Sequence, residues 1–120
     1  METFQELFEA YGADYRETMR RFMNKEAMYI RFLDMLFQDT SLEKLGRALD
    51  SGDMTGAFEA AHTLKGVSAN LGLTPLYEAV CAIVEPLRFG TPFDAEQLYQ
   101  KIQSEFKRVD LLRSSLKGEG

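Results

Sequence analysis

Apolar side chains recur at three- and four-residue spacing along nearly the whole chain, the signature of helices with one buried face. Phe4, Leu7, Phe8 and Tyr11 form one stripe between Met1 and Tyr11, and Gly12 stops it. A second segment, Asp14 to about Met23, carries Tyr15, Met19, Phe22 and Met23. Asn24 is placed to cap a third, whose apolar side holds Met28, Phe32, Met35 and Leu36. Thr40 and Glu43 fit a capping box ahead of a short piece with Leu42, Leu45, Ala48 and Leu49. The pattern equally allows that piece to continue the third segment after a kink.

Ser51-Gly52-Asp53 reads as a stop followed by a cap, opening a helix that runs to about Leu71 and closes at Gly72. Thr74 before Pro75 predicts an N-cap with proline at the first helical position. The helix that follows carries Leu76, Ala79, Val80, Ile83 and Leu87. Pro86 lies inside it and predicts a kink or an early end, because proline removes a backbone donor and crowds the preceding turn. Thr91-Pro92 repeats the cap signal before a last helix with Leu98, Ile102, Phe106, Val109, Leu112 and Leu116. Short connections favour antiparallel neighbours. The expected fold is all-α: an antiparallel up-down four-helix bundle with additional short N-terminal helices. It fills a single domain, 1–120, with residues 1–12 an N-terminal helix and 117–120 a frayed tail.

Composition narrows the function. A length of 120 residues suits one domain that buries a core unaided. A net charge of −5 and a pI of about 4.9 speak against a nucleic-acid footprint. One cysteine, Cys81, and one histidine, His62, fall short of a disulfide framework or a zinc site. No apolar run approaches a membrane span, and METFQELFEAYG lacks the basic start of a signal peptide. A cytoplasmic monomer is the expectation, and numbering from Met1 leans towards a free-standing protein.

The segment Asp53 to Gly72 holds the unusual chemistry. With Leu64 at the centre of the buried face, Ala57, Ala60, Val67, Ser68 and Leu71 fall within about 60° of it. His62 then points about 160° away, towards solvent. Its surface neighbours are Thr55, Glu59, Gly66 and Ala69, with Phe58 and Lys65 on the flanks. A glycine in mid-helix costs about 1 kcal/mol relative to alanine, and on an outer face no packing need offsets that. A functional need would: with no side chain at 66 and a methyl at 69, a bulky group can approach the imidazole. Lys65 adds a mobile cation suited to an anion. A nucleophilic imidazole, a cleared floor and a nearby cation describe a site for a phosphoryl group.

His62-Thr63-Leu64-Lys65-Gly66, then Ala69, Leu71 and Gly72, resembles the signature of histidine-containing phosphotransfer (HPt) domains. That signature is His-x-Leu-Lys-Gly, then small residues, then a glycine ten positions after the histidine. The likeness extends to Arg21-Phe22-Met23-Asn24, Tyr29 and Leu33, to Leu45, Ala48, Gly52 and Asp53, and to Glu85, from about Tyr11 to Val109. Pro86 departs from the pattern. The resemblance implies a four-helix bundle whose exposed histidine takes a phosphoryl group from a receiver domain's phospho-aspartate and passes it to another receiver. His62 would be the phospho-acceptor, normally through Nε2. Lys65 would offset phosphoryl charge, and Gly66 and Ala69 would admit the receiver's loops. Thr55, Phe58 and Glu59 are docking candidates on helical geometry alone. No intrinsic cofactor or metal is expected, since magnesium belongs to the receiver. Lacking a Walker-type glycine loop, the chain is not expected to phosphorylate itself from ATP.

Plainer readings stand beside these. A lone exposed histidine is usually a polar surface residue, and Lys65 by itself a solvated charge. Cys81 suits a small core filler, the methionines and aromatics core packing, and the Arg16, Arg20 and Arg21 cluster a solvated face. A binding-only adaptor with the HPt fold is the alternative function. A general-base enzyme lacks an orienting carboxylate or oxyanion donors in sequence proximity.

Overall fold

The computed structural model describes residues 2–118, which form helices joined by short turns, with no strand among them. The helices are α1 (Phe4–Tyr11), α2 (Tyr15–Arg21), α3 (Glu26–Gln38), α4 (Ser41–Ser51), α5 (Met54–Asn70), α6 (Thr74–Phe89) and α7 (Ala95–Leu116). From α4 onward each packs against the next, and α7 also touches α1, α3 and α4. No helix of the described residues is long and apolar enough to cross a membrane. α7 ends with Lys117 as its C-cap; Met1 and residues 119–120, the end of the expected frayed tail, lie outside the described residues.

Local signals set most boundaries. Thr3 and Glu6 form a reciprocal capping box at α1, and Gly12 ends that helix at a φ of +115°. Asp14, Asp53 and Asp94 each accept a backbone N–H from the first turn of α2, α5 and α7. Other expectations need correction. Asn24 is not a cap: Met23 and Asn24 both take left-handed conformations in the turn before α3, which starts without a side-chain cap. α3 and α4 are separate helices, broken at Asp39 and Thr40. No capping box forms there: Thr40 makes no side-chain cap bond, and the Asp39 carboxylate takes the Ser41 N–H at 2.6 Å. Thr74 is the first residue of α6 and makes no cap bond. Asp94, not Thr91, caps α7. Pro86 does not end α6 early; the helix runs through it to Phe89. Pro86 sits in the last turn and forfeits the bond its N–H would have made to the carbonyl four residues back.

The largest shift concerns which face of α3 is buried. Tyr29, Leu33 and Leu36 face the core, whereas Phe32 and Met35 are 43% and 57% exposed. Tyr29 decides the register. Phe8 and Phe22 meet its ring edge-on at 5.3 and 5.1 Å, joining α1, α2 and α3. Cys81 is only half-buried, and Met23, Met54 and Phe89 are exposed, so they are not core filler. At the far side, buried Glu105 pairs with Lys101 and Arg108, both at 2.9 Å, and Arg108 also donates to the Tyr11 carbonyl. Asp34 on α3 pairs with Arg113 and Lys117 at the end of α7.

Candidate functional site

α5 is held at both ends and along one stripe. At its start Asp53 takes the Gly56 N–H at 2.9 Å. Ala57, Ala60, Ala61, Leu64 and Ser68 are buried, and the Ser68 hydroxyl donates to the Leu64 and Lys65 carbonyls. Its last carbonyls, which lack partners within the helix, are met from elsewhere in the chain. Arg21, itself exposed, donates to the Ala69 and Asn70 carbonyls, each at 3.2 Å, so the solvated cation of the sequence reading also serves as a structural cap. The Tyr29 hydroxyl donates to the Leu71 carbonyl at 2.7 Å. Gly72 follows at a φ of +65°, and a Cβ there would collide with the Thr18 side chain. Glycine at 72 is thus required by both backbone conformation and space.

The outer face of α5 is open. His62 is exposed at mid-helix. One turn on, a Cβ added to Gly66 meets nothing within 4 Å. Gly46, the mid-helix glycine of α4, differs: its Cβ would lie 2.5 Å from the Tyr99 hydroxyl. Close packing therefore accounts for Gly46 and does not account for Gly66. Ala69 is exposed two turns beyond His62, and Thr55 is exposed two turns before it. Glu59 is exposed, and its carbonyl accepts the Thr63 hydroxyl at 3.0 Å. Lys65 is half-buried on the other flank. Helical spacing puts all these positions on one side of α5.

Phe58 has a more defined place than the sequence offered. Its ring lies 5.6 Å from the imidazole, centroid to centroid, with the planes 35° apart. Arg88, from the last turn of α6, stands over the same ring at 5.4 Å. Sequence reading missed Arg88, since an exposed cation near a helix C-terminus is ordinary and only the packing of α6 on α5 brings it here.

Two grooves flank the face. Between α4 and α5 lies one of about 450 Å³ whose charges are mixed: Lys44 and Arg47 against Asp53 and Glu59. Between α3 and the end of α5 lies an apolar one of about 320 Å³, lined by Phe32, Met35, Leu36, Gly66, Val67 and Leu71. Among the described residues no group of three His, Cys, Asp or Glu side chains is placed to hold a metal ion. The face thus offers an accessible imidazole, room for a bulky partner, cations nearby and an apolar margin.

The family model of the Hpt domain matches residues 27–110, from the first turn of α3 to the penultimate turns of α7. α1 and α2 lie outside the match, which starts later than the likeness drawn from Tyr11. No curated protein and no solved structure matches the chain.

Proposed function

We propose a phosphoryl-carrier role for this chain, which belongs to the Hpt domain family. Membership means phosphotransfer within two-component signalling, by a carrier and not a kinase. In the finer reading, His62 attacks the phosphorus of a receiver's aspartyl phosphate. The P–O bond breaks as the N–P bond forms, and a second receiver's aspartate later reverses the exchange. Such transfer asks for in-line positioning and charge neutralisation more than for acid–base machinery. Lys65 supplies charge on this side, and the receiver brings magnesium. Thr55, Phe58, Glu59, Gly66 and Ala69 form the docking face. α4 to α7 act as the antiparallel four-helix bundle that holds it, in a cytoplasmic monomer without autokinase activity.

The observation that carries this reading is the exposed His62 beside Gly66, a mid-helix glycine with open space where a side chain would stand. The test is phosphorylation by a small phosphoramidate, read by intact mass and peptide mapping without acid, followed by a receiver domain with magnesium. A single label on His62, removed by the receiver and absent from His62→Gln, is the expected result. A folded His62→Gln variant that still relays would refute the assignment. Absence of labelling, or a label no receiver removes, would favour the binding-only adaptor.

A further inference from the structure

The last turn of α5 is held from α2. Arg21, the last residue of α2, donates through Nε to the Asn70 carbonyl and through Nη2 to the Ala69 carbonyl. The Gly72 N–H also reaches the Ala69 carbonyl, but the Thr74 N–H turns to Gly72 and leaves Arg21 as the donor to Asn70. Among the described residues no carboxylate stands within 4 Å of the Arg21 nitrogens, whereas neighbouring Arg20 takes Glu17. The turn that follows is strained. Met23 and Asn24 sit at φ of 55° and 57°, a region costly for residues other than glycine. The Asn24 N–H closes it on the Met19 carbonyl at 2.8 Å, and the Lys25 N–H on the Phe22 carbonyl at 3.0 Å. The Phe22 ring meets Tyr29 edge-on at 5.1 Å and Phe32 at 5.5 Å. Such strain persists only where the surroundings over-determine it, and it clusters at sites with a task. Here the anchored residues are Arg21 and Phe22, and the groups they hold, Ala69, Asn70 and Phe32, border the far end of the His62 face.

Resting on the carrier reading, we propose that Arg21 is a positioning residue for receiver docking: it keeps the last turn of α5 wound, so that Ala69 and Asn70 present a formed edge to the incoming domain. Ala69 is exposed two turns beyond His62, and Asn70 lines the apolar groove with Gly66 and Phe32. A planar guanidinium suits two successive carbonyls at a helix C-terminus, where its charge also complements the negative end of the dipole.

Without Arg21 the Asn70 carbonyl loses its donor, and that end of α5 frays, since terminal turns are where a helix opens first. Docking then selects the wound fraction, and the receiver concentration needed rises by the inverse of that fraction. Transfer within the docked pair is unchanged, because the covered end is wound again. His62 lies in the middle of α5, two turns from the frayed end, so a small donor that needs no docking edge does not sense the change.

The test uses the full chain, labelled on His62 with the phosphoramidate and then mixed in single turnover with rising concentrations of the receiver domain that discharges wild type. Arg21→Gln should raise the half-saturating receiver concentration about three- to ten-fold, with the maximal rate and small-donor labelling within about two-fold of wild type. Arg21→Lys keeps the charge without the fork and should fall between the two. Hydrogen exchange in Arg21→Gln should quicken at the Leu71, Gly72 and Leu73 amides, which bond back to Val67, Ala69 and Ser68, and not at mid-helix. An unchanged half-saturating concentration, or a fall in maximal rate alone, would overturn the role of Arg21 and leave the carrier reading intact. A parallel loss of small-donor labelling would reduce Arg21 to a general support of the fold. Should Arg21→Gln fail to fold, Arg21→Lys decides alone, and a wild-type value there would overturn the proposal. Failure of wild-type His62 to take up the label, or of any receiver to remove it, would overturn the carrier reading and this one together.

Discussion

Gly66 and Gly46 make a controlled pair, because each lies in a helix interior and only one has a packing reason to be glycine. Gly66→Ala places a methyl where nothing stands within 4 Å, so the helix gains its ordinary preference for alanine, about 0.5–1 kcal/mol. For a chain of this length that raises Tm by about 2–4 °C. Gly46→Ala sets the same preference against a Cβ 2.5 Å from the Tyr99 hydroxyl, which itself donates to the Leu42 carbonyl at 2.9 Å. Overpacking costs about 1–3 kcal/mol and a disturbed hydrogen bond about 1, so Gly46→Ala should be destabilised on balance. Gly66→Leu should also fold as well as wild type, yet put bulk on the path to His62. Urea and thermal unfolding measure the first part. Single-turnover transfer from a phosphorylated receiver, against labelling by the small phosphoramidate, measures the second. Gly66→Leu should label normally with the small donor and fail with the receiver. Loss of stability in Gly66→Ala, or full receiver transfer by Gly66→Leu, would refute the cleared-floor argument.

Gly72→Ala should be destabilised by about 2–4 kcal/mol, since a left-handed backbone and a clash with Thr18 both oppose it. Adding Thr18→Ala should recover part of the loss in a double-mutant cycle, and strict additivity would show that the contact is not the cause. Tyr29→Phe should lose about 1 kcal/mol with its bond to the Leu71 carbonyl, and urea midpoints no lower than wild type would exclude that bond as a support of α5. Alkaline stability provides a further test. Burial pushes Tyr11 up to about 12 and raises Tyr29 as well, against about 10 in the unfolded chain. A raised folded value favours the neutral phenol, so this stability is complete below pH of about 10 and is lost as pH rises through 12. Tyrosinate absorbance should lag in the folded protein, and urea midpoints that stay flat to pH 12 would contradict the burial of these rings.

Legibility in the sequence followed the range of the interactions. Gly12, Asp14, Gly52, Asp53 and Gly72 act on neighbours a few residues away, and the ends they marked are where the helices stop or start. Met28, Tyr29, Ile30, Phe32, Leu33, Met35, Leu36 and Phe37 crowd α3 with apolar groups on every side, so periodicity alone could not choose its buried face. Tyr29 chose it through partners on other helices: Phe8, Phe22 and the Leu71 carbonyl. The capping role of Arg21 was hidden for the same reason, since the carbonyls it serves are 48 and 49 residues away. The positions around His62 were legible because they share one helix, where spacing fixes direction. Arg88 reaches that face only through the packing of α6 on α5.

These long-range bonds also explain how α5 tolerates Gly66. Its narrow buried stripe is mostly alanine, which contributes modest apolar burial. Its ends carry more of the restraint: Asp53 at the start, then Arg21, Tyr29 and the Thr18–Gly72 contact at the finish. A defect of about 1 kcal/mol in the middle of a helix fixed at both termini cannot spread as fraying, because unwinding from either side must first break tertiary bonds. The outer face is therefore free of structural duty, and bulk can be withheld there without loosening the helix. The grooves on its two sides are unequal, apolar towards α3 and charged towards α4, so a domain docking as proposed over His62 would meet two chemically distinct margins that favour one orientation.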